Sequence, residues 1–428
     1  MIHTEAVAIT AVVWLQLAAF SIYVYYLLAA IAIWLGVQSV LGGFRFSSYV
    51  RHEYSQPLTS FTPYASVIAP CRGVDLGLKE NLESLFTQDY PHYEIVFVTD
   101  ATTDASVRVI EEVRQKHALK PLKTNLVFAG QAVHSGQKVH NLREAVLHTD
   151  SASEVLVFVD ADARPAKNWL RSLVAPLQDQ KVGAATGYRW FLSQRGNLAS
   201  QLLSVWNASI ASALGGQGEK NFCWGGSTAI RRITFEGLRV RERWLGTVSD
   251  DFTLMRVLRE AHLPIKFVPA CLTASLENYN FRQLLEFTTR QLQITRVYAP
   301  QFWKAALVGG VIFNTVFFGG LVLLMVRIIF GSPILALLIP LATIFILGAV
   351  KAFVRWRAVS IPLASYSKEL RSSFFAHIFL WPLGALLFLY NAIIAAFSRR
   401  IVWKDITYEL KSPTEAVIIS RDRRSRRL

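Results

Sequence analysis

The chain has 428 residues, of which 52% are hydrophobic and 18% charged, with a mean hydropathy of +0.32 and a formal charge of +15. It is too apolar for an ordinary soluble protein and too charged to lie wholly in lipid, so a soluble domain flanked by membrane segments fits. The basic residues flank hydrophobic segments, which favours a membrane surface and an anionic substrate over nucleic acid.

Residues 7 to 41 form a nearly uncharged run, longer than the ~20 residues that span the hydrocarbon core. No basic stretch precedes it and the run is too long for a signal peptide, so a transmembrane helix over residues 1–44 is expected. Arg45 and Arg51 follow it; by the positive-inside rule the N-terminus faces outward and the chain enters the cytosol near residue 44. Three cysteines, Cys71, Cys223 and Cys271, match no zinc or redox spacing and imply a reducing compartment.

From 45 to 300 short β-rich runs alternate with amphipathic segments, the pattern of a mostly parallel α/β sheet. Strands are expected at 66–70, 93–98, 125–128, 155–159, 182–188 and around Thr228. Helices are expected at 76–86, 104–117, 138–147, 168–177, 198–214 and 250–261. From 301 to 398 the membrane pattern returns: Ala305 to Ile329 and Pro333 to Val350 read as two spans joined by a turn at Phe330-Gly-Ser-Pro333. Lys351 to Arg371 reads as a basic cytosolic loop and Phe374 to Phe397 as a third apolar run. Three full crossings would put the tail, 399–428, outside, yet its arginines argue for the cytosol. A re-entrant or interfacial segment containing Pro382 resolves the conflict.

The strand Val155-Leu-Val-Phe-Val159 runs straight into Asp160-Ala-Asp162. At the carboxyl edge of a parallel sheet, where ligands of α/β proteins bind, two such acids suit Mg²⁺ or Mn²⁺ shared with a phosphorylated substrate. The same residues also suit an Asp-rich turn. Asp100 ends a second strand on the same edge, either to bind a nucleoside or to start a turn. Lys138 and Asn141, near a helix start after Gly136, could meet a diphosphate. Gly225 and Gly226 in Trp224-Gly-Gly-Ser227 allow either close approach to a ligand or a tight turn. Ser249-Asp250-Asp251 opens a helix; capping explains one acid and leaves the other free for general-base work. Arg290, Gln293 and Arg296 lie just ahead of the membrane re-entry, where they suit a pyrophosphate or lipid headgroups.

The order Pro70…Gly73, Asn81…Leu85…Gln88-Asp-Tyr-Pro91, Asp100, Lys138…Asn141-Leu142, Asp160-Ala-Asp162, Trp224-Gly-Gly226, Asp250-Asp251 and Trp403-Lys-Asp-Ile-Thr-Tyr408 resembles membrane-bound family 2-like glycosyltransferases with the GT-A fold, the ceramide glucosyltransferase group above all. The resemblance implies that Asp100 contacts the nucleoside, that Asp160 and Asp162 hold Mg²⁺ or Mn²⁺ with the diphosphate, and that Asp251 is the general base. It implies an inverting hexosyltransferase using a UDP-sugar, glucose foremost, and a membrane lipid hydroxyl such as that of ceramide. The alternatives are a processive polysaccharide synthase and a non-catalytic nucleotide- or lipid-binding membrane protein. The group's Gln/Arg-x-x-Arg-Trp motif is incomplete here, since neither Arg290-Gln-Leu-Gln293-Ile nor Gln293-Ile-Thr-Arg296-Val has the tryptophan, and Asp405 stands where relatives often have Gly. Nothing in the pattern fixes an oligomeric state.

Overall fold

The computed structural model describes residues 2–119 and 122–421, with side chains from Ile22 onward. The expected cluster of arginines after Arg421 lies outside the described residues. Helix α1 (Ile2–Tyr54) continues well beyond the nearly uncharged run that ends at Leu41, so one helix joins the expected first span to the α/β domain. There follow β1 (Ala65–Pro70), α2 (Leu78–Leu85), β2 (Tyr93–Thr99), α3 (Ala105–Lys116), β3 (Lys123–Phe128), α4 (Gln137–Leu147) and β4 (Val155–Phe158). Next come α5 (Trp169–Val174), β5 (Ala184–Ser193), α6 (Leu198–Ala211), β6 (Thr228–Arg231), α7 (Arg232–Gly237), α8 (Val240–Arg243), α9 (Asp250–Glu260), β7 (Ile265–Glu277) and α10 (Phe281–Tyr298).

The seven strands form one sheet in the order β3-β2-β1-β4-β6-β5-β7, all parallel except β6, which is antiparallel to β4 and β5. This is the α/β domain that the alternation of elements and the GT-A resemblance lead one to expect. β1 and β4 are buried on both faces because helices cover the sheet on each side, which is why their sequences are unbroken apolar runs. The chain winds outward in opposite directions from the β1–β4 pair, so a crevice opens at their carboxyl ends. Val67 pairs with Val157 and Ile68 with Phe158, and this register brings the residues after Pro70 beside Asp160.

β7, the longest strand, escapes the sequence reading because Pro269 interrupts it, and proline normally demotes a strand. The sheet accommodates it with an irregularity: Thr186 pairs with Phe267, but Tyr188 pairs with Leu272. Gly187 sits at this point, and a Cβ there would stand 2.2 Å from the Cys271 carbonyl oxygen. The expected helix at 168–177 is split, its last turn being 3-10, and the one at 198–214 ends at Ala211.

Beyond the domain, α11 (Pro300–Ile329) and α12 (Leu335–Val359) are long and apolar enough to cross a membrane, as is α1, and Gly331 turns the chain between them at φ +63°. The basic loop expected over 351–371 is mostly helical: α12 runs on to Val359, Lys351 donates from Nζ to Ser39 Oγ of α1 at 2.7 Å, and Arg355 is buried. α13 (Ser367–Phe379) and α14 (Trp381–Phe397) follow, and the pair that starts at Ala364 bends by 74° at the Leu380–Pro382 break. Within the expected tail, residues 400–421 form a three-stranded antiparallel sheet, β8 (Arg400–Trp403), β9 (Ile406–Ser412) and β10 (Glu415–Arg421). Ile401, Ile406, Tyr408 and Leu410 bury it against Val248, Ile294 and Tyr298.

The small sheet packs on the α/β domain. If α11 and α12 both cross a bilayer, that packing requires the bent α13–α14 pair to enter and leave by the same face, the re-entrant arrangement expected from the sequence. All three native cysteines are buried, which makes the arrangement easy to read with an impermeant maleimide. Ser332→Cys, in the α11–α12 turn, should label only from the side opposite to Thr414→Cys; labelling of both from one side contradicts the re-entrant pair.

Candidate active site

A cavity of about 660 Å³ opens at the carboxyl ends of β1 and β4. Its lining includes Arg72 and Asp75 after β1, Lys138 and Asn141 on α4, Asp160 and Asp162 after β4, Arg189 on β5, Glu277 at the end of β7, and Arg290 on α10. The small sheet supplies Trp403, Lys404 and Tyr408.

The tightest feature is a triad of charges. Lys138 Nζ stands 2.6 Å from Asp160 Oδ1 and 3.1 Å from Asp250 Oδ1. Burial alone would depress the ammonium, but Asp160 and Asp250 outweigh it and hold Lys138 firmly protonated. Asp250 is almost wholly buried, and burial raises its carboxyl above the usual range against the pull of Lys138. Gly225 packs onto this pair: a Cβ there would lie 2.2 Å from Asp250 Oδ2 and 2.7 Å from Lys138 Nζ. Gly226 packs against the Trp224 ring, and Ser227 N closes the turn on the Trp224 carbonyl at 3.0 Å. The two glycines thus make room for neighbouring protein and do not line the cavity.

Asp162 has a different partner. Its Oδ2 is 3.4 Å from Arg189 Nη1, while Oδ1 is sealed and has no hydrogen-bond partner. Burial raises its carboxyl, Arg189 opposes this, and Asp160 adds to it. The guanidinium of Arg189 is itself held over the rings of Phe191, Trp224 and Phe287 at 5.1–5.4 Å. Each of the two edge acids therefore has a protein cation of its own, so mutual repulsion does not require a metal. The orphaned Oδ1 of Asp162 does fit one. The described residues hold no group of three or more His, Cys, Asp or Glu that could bind an ion alone, so phosphate oxygens and water would complete the shell. Mg²⁺ and Mn²⁺ accept such a shell.

The remaining expected residues scatter. Asp100 ends β2 on the same edge, 3.8 Å from Arg72 Nε, and leaves the capping of α3 to Asp104, which accepts from Ser106 N at 2.8 Å. Asn141 Oδ1 accepts from Gln137 Nε2 at 2.9 Å at the cavity wall. Neither acid is the N-cap of α9: Ser249 is, its Oγ accepting from Phe252 N at 3.3 Å, and Asp251 Oδ1 accepts from the Ser249 hydroxyl and from Phe252 N. Asp251 is only partly buried, and its second oxygen has no hydrogen bond among the described residues. Arg290 reaches the cavity, donates to the Val402 carbonyl at 3.1 Å and lies over Trp403 at 5.7 Å; burial brings its guanidinium down to about 10. A tryptophan thus meets the α10 basic face, but from the small sheet. Gln293 is buried, and Arg296 donates to the Ala395 carbonyl of α14 at 2.6 Å; neither lines the cavity.

Several lining residues escaped the sequence reading. Arg189 was hidden in an apolar strand and Glu277 ends the unrecognised β7. Lys404 Nζ grips both oxygens of Asp75 at 2.6 Å across the cavity mouth, and the Tyr408 hydroxyl accepts from Gln137 N at 3.1 Å. Trp403 to Tyr408 carried a motif signal, but nothing local says that it folds back over α4.

An acid-edged cavity at the switch point of a mostly parallel sheet, in a chain with helices long and apolar enough to cross a membrane, defines an α/β enzyme site. The chain belongs to glycosyl transferase family 21, whose sequence model matches residues 8–416. It is 32% identical over 117 residues to ceramide glucosyltransferase 1 of Caenorhabditis elegans, covering 26% of this chain and 24% of that protein. It is 25% identical over 233 residues to a beta-monoglucosyldiacylglycerol synthase of Nostoc, covering 51% of this chain and 47% of the relative. The chain therefore spans less than half the length of these curated relatives. A mannosyltransferase of Pyrobaculum calidifontis, solved with GDP-Man and Mn²⁺, covers 86% of this chain and 99% of its own at 20% identity and a TM-score of 0.45.

Burial pushes the Glu277 carboxyl up to about 7, with Asp162 adding to the effect and Arg189 opposing it. Between the ordinary carboxylate range and pH 7 the folded state holds a proton that the unfolded chain has lost. Stability from this group is therefore present at low pH and falls as pH rises through that window. In metal-free buffer, the melting temperature of Glu277→Gln should fall less than that of the native protein between pH 5 and 7.5. Parallel curves would show that Glu277 is not held protonated.

Proposed function

We propose that this family member is an inverting glycosyltransferase that moves a hexose from a UDP-sugar, glucose foremost, to the hydroxyl of a membrane lipid. One observation carries the reading. The cavity wall combines the acids Asp160 and Asp162 with the apolar side chains of Ala274, Leu276, Phe287 and Tyr366, and Tyr366 belongs to the segment between α12 and α13. A water-soluble donor and a lipid acceptor can thus share one space. The lipid substrates named in the relatives agree with this division. Arg45 and Arg51, on the domain side of α1, support a cytosolic catalytic domain.

In this reading Asp162 and Asp160 would hold Mg²⁺ or Mn²⁺, which would supply Lewis-acid stabilisation of the leaving diphosphate. Asp100 contacts the nucleoside. Lys138 and Arg290, both protonated at neutral pH, face the negative charge that grows on the departing diphosphate. Asn141 keeps the start of α4 in place through Gln137. Asp251 takes the proton of the acceptor hydroxyl while that oxygen forms its bond to the anomeric carbon and the bond to the diphosphate breaks. The inversion follows from this single displacement.

A general base contributes about 10²–10⁴-fold. Asp251→Asn should lose at least that much turnover while keeping its affinity for UDP-sugar, and full activity in this variant contradicts the role. Asp162→Ala should bind UDP-sugar equally weakly with and without EDTA, whereas the native protein should lose affinity when EDTA is added. A native protein indifferent to EDTA contradicts the metal site.

A further inference from the structure

The cavity wall carries an ion pair that the proposed reaction does not use. Lys404 Nζ lies 2.6 Å from both Oδ1 and Oδ2 of Asp75, and both side chains line the cavity. Asp75 comes from the loop between β1 and α2, and Lys404 from the two-residue turn between β8 and β9. Their side chains are 46% and 41% exposed, and an ion pair so open to water adds little to stability. The turn itself has a backbone cost. The φ angle is +47° at Lys404 and +66° at Asp405, the left-handed region that such turns normally fill with Gly, Asn or Asp. Stability does not explain a lysine held in this way for an exposed pair, and backbone outliers of this kind gather at ligand clamps.

The turn is fixed from both sides. Arg290 of α10 donates to the Val402 carbonyl at 3.1 Å and lies over the Trp403 ring, while the Tyr408 hydroxyl accepts from Gln137 N, next to Lys138. Lys404 therefore stands on a turn strung between Arg290 and the start of α4, which carry the two cations that face the diphosphate in the proposed reaction. The loop of Asp75 has looser support. It turns at Gly73 (φ +66°) and Gly77 (φ +73°), and Val74 and Leu76 on either side of the acid are exposed.

We propose that Asp75 stands in for the diphosphate of the donor: it holds Lys404 in the donor-free protein and yields it when a UDP-sugar enters, so that Lys404 becomes a third cation on the phosphates. This inference rests on the donor reading of the cavity. The exchange replaces one exposed carboxylate by a diphosphate, which brings more negative charge and more acceptor oxygens to the ammonium. The pair is then a latch opened by the phosphates and not by the base, and Asp75 is a competitor that weakens donor binding.

The test uses the full chain purified in a neutral detergent with Mn²⁺ present. A carbodiimide, which joins a paired carboxylate and amine as an amide, should cross-link Asp75 to Lys404 in the native protein, as read by peptide mass spectrometry. Saturating UDP should suppress the cross-link and uridine should not. Lys404→Met should bind UDP at least about tenfold more weakly than the native protein, the loss of one charge-assisted contact, with uridine binding unchanged. Asp75→Asn, which removes the competitor, should bind UDP at least as tightly as the native protein. A cross-link that is absent from the donor-free protein, or that forms equally when UDP is saturating, overturns the exchange. So does a Lys404→Met with native affinity for UDP, or an Asp75→Asn that loses affinity along with it, the pattern of a purely structural clasp. If Lys404→Met does not fold, cross-linking of the native protein decides. A native protein that binds no UDP refutes the donor site and this inference with it, whereas UDP binding that leaves the cross-link intact refutes the exchange alone.

Discussion

The ammonium of Lys138, held between Asp160 and Asp250, is the contact on which the site depends. It ties the first turn of α4 to the end of β4 and to the first turn of α9, three pieces of chain that share no strand pairing with one another at those points. Gly136 lets α4 begin against Val248, where a Cβ would stand 2.9 Å from the Val248 Cα, and Gly225 leaves room for the Lys138–Asp250 pair itself. Such a buried cluster holds its shape only while each charge is compensated, since removing one partner leaves another stranded in a poorly solvated place. Lys138 thus both fixes the shape of the site and lines the cavity beside its acid edge.

Much of the sheet was legible from the sequence because β1, β2 and β4 are short apolar runs that end abruptly in polar residues, and their order along the chain places Asp100 and Asp160 on one edge. What stayed hidden has physical causes. β7 contains Pro269 and is read as a break. Arg189 sits among apolar neighbours whose rings cradle its guanidinium, so the charge looks misplaced until Asp162 is brought beside it. The contact of Tyr408 with Gln137 spans 271 positions, and no local pattern announces it. The pair Asp250-Asp251 shows the limit from another side: the pattern reads one acid as cap and one as free, whereas Ser249 is the cap, Asp251 accepts from its hydroxyl and Asp250 pairs with Lys138.

The C-terminal sheet changes how the membrane part is understood. β8–β10 pack on the α/β domain and contribute Trp403, Lys404 and Tyr408 to the cavity, so a bilayer crossed by α11 and α12 would require the bent α13–α14 pair to return to the face it entered. Tyr366, just ahead of that pair, also lines the cavity.

The central claim is that this cavity joins a soluble sugar donor to a lipid acceptor. The most direct test gives the purified chain radiolabelled UDP-glucose, Mn²⁺ and a total lipid extract, then separates the products by organic extraction. A discrete radiolabelled glycolipid in the organic phase, absent without lipid, is the expected result. A long insoluble polymer, or no transferred label with any UDP-hexose, would contradict it.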